Sequence, residues 1–288
     1  MAGLVWQERP QLRRPVMVAG FEGWNDAGDA ASDAAAWLVR TFGATEFASI
    51  DPEEHFDFQS TRPRVELVDG IARRINWPAN RFHAVHVDGA DHDLVVLRGV
   101  EPNMRWRSFC DSVLEVAGTT GCELVVTLGA LLADVPHSRP VHITGSATDP
   151  DLIERLHLQN SRYEGPTGIV GVLHDACRSG GVASVSLWAP VPHYVASPPN
   201  PPAMRELLAR LGELTRVPVR LGELDATSAA WREQVTEAVD GDDDVRAYVR
   251  QLEEQVDEVD EDPGLEMLSG DAIAAELERY LRDQRGEH

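Results

Sequence analysis

The chain has 288 residues, 43% of them apolar and 26% charged, enough for one large domain or for a domain with an appendage. A formal net charge of −22 argues against non-specific binding to nucleic acid or to an anionic membrane surface. All 26 basic residues are arginine, which excludes chemistry that needs an amine (a pyridoxal Schiff base, an aldolase-type imine, a phosphate-loop lysine) but leaves bidentate anion binding open.

Met1 to Arg14 has no apolar h-region and no small-residue cleavage site, so no secretory leader is expected. No apolar run reaches the roughly 18–20 residues that cross a bilayer, and a cytoplasmic location follows as the expectation. Pro15 to Gly20 is a short apolar run that reads as a buried strand. Ala31, Ala34, Ala35, Leu38, Val39 and Phe42 then recur at helix spacing, and Gly43 closes that helix. Phe47 to Asp51 is a strand. Arg64 to Val68 and Ile71 to Ile75 flank Asp69-Gly70, a two-residue hairpin signal. Asp93 to Leu97 is a strand, followed by the amphipathic stripe Trp106, Phe109, Cys110, Val113, Leu114 and Ala117.

Glu123 to Leu128 and Val141 to Thr144 read as strands, and Leu152 to Leu156 as a short helix. Ile169, Val172, Leu173, Ala176 and Cys177 mark a helix closed by Gly180-Gly181. Val182 to Trp188 is a strand, and Pro201-Pro202 open a helix with Met204, Leu207, Leu208 and Leu211 inside. The three cysteines, Cys110, Cys122 and Cys177, lack metal-ligand spacing and read as free thiols of a reducing compartment. Strands alternating with helices predict an α/β fold, a mostly parallel mixed sheet covered on both faces.

The tail differs in charge. Residues 226–288 carry 19 acids against 6 arginines. Trp231, Val235 and Ala238 share one helix face, and Val245, Val249, Leu252, Val256 and Val259 follow at spacings of 4, 3, 4 and 3. Two heptads are too few to stand alone, so this helix is expected to pack on the domain, on a neighbouring subunit or on a partner. A last helix would carry Ile273, Leu277, Tyr280 and Leu281. The expected division is an α/β domain over residues 1–225 and an acidic helical extension over 226–288.

Five segments sit at predicted strand ends or helix starts, where α/β folds place ligands. Gly20 to Ala31 can line a pocket, with Gly23 in the turn and Glu22, Asn25 and Asp26 at the rim; it can equally be a tight turn in which Asn25 or Asp26 caps the helix. Asp51 to Phe58 holds acids and His55 suited to a metal or to acid–base work, or forms a solvated loop; its spacing fits no zinc signature. Arg98 and Arg105 can hold an anion, or Arg98 pairs with Glu101 or another acid while Asn103 caps a helix. Leu128 to Pro140 carries His137 and Ser138 without a nucleophile elbow and reads mainly as a surface loop. Tyr163 to Gly171 brackets a helix start with Gly165 and Gly168, Thr167 near the cap and Glu164 near the positive end of the helix dipole.

In this order, Asn25-Asp26-Ala27-Gly28, Glu101-Pro102-Asn103, Leu128-Gly129-Ala130, Tyr163-Glu164-Gly165-Pro166-Thr167-Gly168-Ile169 and the proline-rich Pro198 to Ala203 resemble the proteasome-assembly-chaperone family, in its prokaryotic, actinobacterial-type branch. The resemblance covers about Pro15 to Ala238. It implies a three-layer αβα sandwich similar to nucleoside phosphorylases, self-association with a trimer as the leading expectation, and protein clients in proteasome assembly or protein quality control. Some members end in a hydrophobic-Tyr-any tail that docks on the proteasome. This chain ends Gly286-Glu287-His288, which counts against proteasome subunits as direct partners. The alternative is a phosphorylase- or hydrolase-type enzyme for a small anionic or nucleoside-like substrate. Its crevice would be built from Gly23, Asn25, Asp26, Arg98, Glu101, Arg105, Glu164 and Thr167, with no metal, cofactor, nucleic acid or membrane.

Overall fold

The computed structural model describes residues 3–69, 72–149, 153, 164–195 and 197–261. Apart from Ile153, the short helix expected at 152–156 lies outside the described residues, as do the one over 273–281 and Tyr163. Eight strands form one sheet: β1 (Leu4–Trp6), β2 (Val16–Glu22), β3 (Thr45–Ile50), β6 (Asn80–Val85), β7 (Leu94–Val100), β8 (Leu124–Ala133), β9 (Thr144–Ala147) and β10 (Ser184–Pro192). A separate hairpin pairs β4 (Arg64–Val68) with β5 (Ala72–Asn76). The strand order is β1-β3-β6-β7-β2-β8-β10-β9. β7, β2, β8 and β10 form a parallel block, and β3 shares their direction across the antiparallel β6.

Helices α1 (Ala30–Thr41) and α4 (Pro201–Thr215) cover one face, and α2 (Trp106–Thr120) and α3 (Ile169–Ser179) the other. The expected αβα sandwich is therefore observed. The alternation within β7 shows the construction: Leu94 and Val96 join the α1 side, Val95 and Leu97 the α2 side. Alanines 30, 31, 34 and 35 let α1 press close to the sheet. A Cβ on Gly20 of β2 would come within 2.6 Å of the Ala31 carbonyl oxygen. Asn200 caps α4 through its side-chain oxygen, 3.0 Å from the Ala203 amide, with the two prolines in the first turn. Burial pushes the Cys110 and Cys177 thiols up to about 12 and about 11, so both are inert core residues.

Several boundaries differ from the sequence reading. β8 continues through Ala133, into the stretch expected to be a loop, because parallel pairing with β10 satisfies its backbone as far as Pro192. β9 starts at Thr144, where the expected strand ends. β1 and β6 had no counterpart in the sequence reading, and both carry only short apolar signals on the antiparallel side of the sheet.

The N-terminal segment is tied down by one buried acid. Asp93 is 1% exposed and accepts from the Arg13 guanidinium and backbone N–H, each at 2.8 Å, and from the Val87 N–H at 3.0 Å. Burial pushes this carboxyl up, but the bonds from Arg13 and Val87 outweigh it and hold it at about 2. A depressed folded value means the stabilisation is present above about pH 4 and is lost as pH falls toward 2. Asp93→Asn is expected to cost about 2 kcal/mol by urea unfolding at pH 7, the half-exposed Arg13 being partly screened, with the gap to wild type closing as pH falls below 3.

The C-terminal helices α5 (Gly222–Asp240) and α6 (Asp243–Glu261) pack on their own domain. The division expected at 225/226 falls inside α5. Val249, Leu252 and Val256 are buried, and Val235, Val239 and Val249 form a small core with Tyr194 and Trp231 packed on it. Of the three partners open to the heptad helix, its own domain takes the seam. Polar ties reinforce the contact: Arg139 pairs with Asp257 at 2.6 Å, and Tyr248 donates to Asp134 at 2.9 Å. Leu252→Ala removes about 2–4 kcal/mol of local packing, and is expected to speed amide exchange in α6 while leaving β2, β7 and β8 protected. No helix among the described residues is long and apolar enough to cross a membrane.

Candidate functional site

The parallel block aims the ends of β2, β7 and β8 at one rim, where three chain segments meet. β2 and β7 stay in register to their ends, Glu22 beside Val100, and the Glu101 amide bonds the Glu22 carbonyl at 2.8 Å. Gly23 then turns the chain with φ of 135°, a conformation that suits glycine. A Cβ there would meet the Glu101 Cβ at 3.0 Å. Asn25 is pinned next to β8 by a 2.8 Å bond from the Ala130 amide to its carbonyl.

Glu101 organises this junction. Its Oε1 accepts from Asn25 Nδ2 at 3.0 Å and from the Ile169 amide at 2.8 Å, and Oε2 accepts from the Trp24 amide at 3.4 Å. A carboxylate thus sits at the positive end of α3. The sequence reading gave that place to Glu164; the side chain there is Glu101, from a different strand end, and Glu164 is exposed. Gly168 makes the approach possible. A Cβ on it would stand 1.8 Å from Asn25 Nδ2 and 2.6 Å from Glu101 Oε1. Thr167 is exposed, and the α3 N-cap is Gly168, with no side-chain cap.

Asp26 is 5% exposed. Its Oδ1 accepts from the Ala31 and Ser32 amides at 2.8 and 3.1 Å, capping the first turn of α1, while Oδ2 is buried without a partner. Burial outweighs these bonds and pushes the carboxyl up to about 6. Of the two readings of the Gly20 to Ala31 segment, helix capping is the role its geometry displays.

The arginines lie apart from this cluster. Arg98 follows the alternation of β7 to the α1 face, where its charge opposes the burial that raises Asp33. Arg105 starts α2 and pairs with Glu54. Asn103 ties loops together, accepting from the Asp57 amide and the Thr61 hydroxyl, each at 3.0 Å, and does not cap α2. Gly23, Asn25, Glu101 and the start of α3 are therefore brought together. Asp26 lies beside them facing α1, and Arg98, Arg105, Glu164 and Thr167 do not join the cluster.

The remaining candidate segments serve the fold. His55 is buried edge-on against Phe109 with ring centroids 5.5 Å apart, and burial pushes its pKa down. His137 sits between the Tyr194 hydroxyl at 2.8 Å and the Thr236 hydroxyl at 3.0 Å, and Ser138 donates to Glu253, so this loop is the seat of α5 and α6. Among the described residues, no group of three or more His, Cys, Asp or Glu side chains is placed to hold a metal ion.

Above the polar junction the rim is apolar. Trp24 is 66% exposed, and Met104 and Leu132 are also exposed. The β4–β5 hairpin rises from the same end, because it connects the end of β3 to the start of β6, and Asn80 there donates to the Val100 carbonyl at 3.1 Å. Val65, Leu67, Ile75 and Trp77 are exposed on this hairpin and its exit. Eight large apolar residues are exposed among the described residues: Trp24, Met104 and Leu132 at the ends of β2, β7 and β8, four on the hairpin and its exit, and Val5 on the edge strand β1. The sequence reading passed over these residues. Their signal was apolar side chains in turns and on a strand pair with no partner strands.

Comparison with known proteins agrees with this architecture. A PAC2 family protein from Streptomyces avermitilis is 53% identical, with 82% of this chain and 99% of that one covered at a TM-score of 0.77. A proteasome-assembly chaperone homologue from Mycobacterium tuberculosis is 47% identical, with 81% and 99% covered at a TM-score of 0.76. An archaeal proteasome activator from Pyrococcus furiosus shares the fold at 18% identity and a TM-score of 0.66, with 83% and 99% covered. The comparison with curated proteins gives no match. The family model described as PAC2 family matches residues 20–239, from the end of β2 to the last turn of α5, and so spans both the Glu101 junction and the rim: the chain belongs to the PAC2 family.

Proposed function

We propose that this chain is an assembly-chaperone-like protein of the cytoplasm, self-associating, that binds protein clients through the rim at the carboxyl end of its sheet, in proteasome assembly or protein quality control. Family membership and the Mycobacterium proteasome-assembly chaperone homologue support an assembly-chaperone-like role. The observation that carries the reading is the exposure of Trp24, Met104 and Leu132 together at the carboxyl ends of the neighbouring strands β2, β7 and β8. Contiguous exposed apolar surface marks protein contact, whereas scattered apolar residues carry no such meaning. The polar groups beneath it are engaged with one another: Glu101 holds Asn25, Trp24 and Ile169, and Arg105 holds Glu54. On this reading they form a frame that supports the rim.

The test uses separately purified proteasome α and β subunits and a chemically unfolded model client. The chain is expected to form a complex with unassembled subunits or to suppress client aggregation, and Trp24→Asp with Met104→Asp to lose that activity while keeping the wild-type circular dichroism. No complex and no suppression with any of them would overturn the reading.

A further inference from the structure

Two arginines stand directly opposite one another on the α1 face of the sheet. The antiparallel register of β6 and β7 pairs Arg81 with Arg98, and directly opposed residues of such a pair share a face. Val85 of β6 and Leu94 and Val96 of β7 fix which face it is, since all three join the core on the α1 side. Like charges set directly opposite are unfavourable. Arg98 is half-buried, yet its guanidinium makes no hydrogen bond or ion pair with any described residue, in a chain that holds 48 acids. Arg81 gives only its Nε to Glu46, at 3.5 Å.

No cross-strand neighbour neutralises the pair. Beside Arg98 on β2 is Gly20, which has no side chain, and beside Arg81 on β3 is Ser49, which brings a hydroxyl. α1 packs on β2, β7 and β8, so the two arginines lie on the floor between α1 and β3. His83, two residues along β6 on the same face, is buried, and its Nδ1 donates to the Val96 carbonyl at 3.3 Å. Burial pushes its pKa down, and Arg98 and Arg81 push the same way, so the ring is neutral at pH 7. Asp33 stands on the α1 wall. Burial raises its carboxyl, and Arg40 and Arg98 oppose that rise without bonding to it.

We infer that Arg81 and Arg98 form a binding site for a phosphate-type oxyanion, either free or as the monoester of a small molecule. The donors of Arg98 and the Nη donors of Arg81 are available to it, and a guanidinium fork matches two phosphate oxygens at once. An anion between the forks replaces an unfavourable opposition by two charge-assisted pairs. Arginine is the cationic side chain this lysine-free chain has for the task. The sequence suggested Arg98 and Arg105 as anion holders; the register gives Arg98 the neighbour Arg81 instead. Asp33 and Glu46 lie at the edge of the site and limit its affinity. The site uses none of Trp24, Met104 and Leu132, so it stands apart from client binding at the rim.

The experiment is isothermal titration calorimetry of the full chain in chloride buffer of constant ionic strength, with inorganic phosphate, glycerol 3-phosphate and AMP. At least one is expected to bind and to raise the urea midpoint of the wild type. An ester that binds more tightly than inorganic phosphate assigns the site to a monoester; equal binding assigns it to the free anion. Arg98→Met and Arg81→Met are each expected to weaken binding by about tenfold or more, and Asp33→Asn to strengthen it by about threefold. Without anion, Arg98→Met is expected to be at least as stable as wild type, because a like-charge opposition is gone. No binding of any of the three probes, or binding that both arginine variants leave unchanged, would overturn the inference. A destabilised anion-free Arg98→Met protein would mark Arg98 as a structural cation and overturn it too.

Discussion

Gly168→Ala is expected to destabilise the protein by about 3–4 kcal/mol, although it adds a single methyl group. Its cause is space: the backbone at Gly168 has φ of −99°, which any residue adopts. The new Cβ would fall 1.8 Å from Asn25 Nδ2 and 2.6 Å from Glu101 Oε1, inside van der Waals contact with both. Either α3 moves outward, giving up the 2.8 Å bond from Ile169 to Glu101, or Asn25 leaves Glu101. Overpacking costs about 1–3 kcal/mol and a lost bond to a charged group about 1.5–3. Gly118→Ala is the matched control. It lies exposed in α2 with nothing within 4 Å of an added Cβ, so helix propensity alone acts and a gain of about 0.5–1 kcal/mol is expected. Urea midpoints for the two variants should move in opposite directions; equal shifts would show that the Gly168 junction is not tightly built.

Asp26→Asn is expected to make the protein more stable at pH 8, by about 2–3 kcal/mol relative to wild type, and to make little difference near pH 4. Burial raises the folded carboxyl to about 6 from an unfolded value of 3.8. A raised folded value for an acid means that its favourable contribution is complete below the unfolded value and is lost as pH rises through the folded one. The span of about two units corresponds to about 3 kcal/mol. Asparagine keeps the oxygen that accepts from Ala31 and Ser32 and removes the ionisation. Urea unfolding of both proteins at pH 4.5, 6 and 8 isolates the difference. An asparagine variant weaker than wild type at pH 8 would show that the ionised carboxylate is the favoured form and that the cap needs its charge.

The layers of the fold were legible because each central strand and helix carries its own signal. Pro15 to Gly20 is apolar on both faces, as a doubly covered strand must be, and Ala31 to Leu38 has the helical period. Asp69-Gly70 marked the hairpin, although Val68 pairs with Ala72 rather than with Ile71, and nothing local told that β4 and β5 would pair only with each other. The reach of β8 was hidden because partner pairing decides it. Asn25 and Glu101 could be picked from their loops, whereas their meeting with Ile169 depends on three strand ends converging, which no local pattern encodes. Arg98 was assigned to the crevice by its place after a strand, yet the alternation visible in Leu94 to Leu97 already pointed it to the α1 face. The heptad seam was read correctly as needing cover, and its cover is its own domain because His137, Arg139 and Asp134 seat the two helices.

The most direct measurement is photo-cross-linking from a benzophenone amino acid placed at position 24, compared with one at position 123, an exposed site at the opposite end of β8. Mixed with unassembled subunits or an unfolded client, the position 24 protein should give a defined cross-linked species and the position 123 protein should not. Equal yields at both positions, or cross-links from position 123 alone, would contradict the assignment of the rim as the docking face.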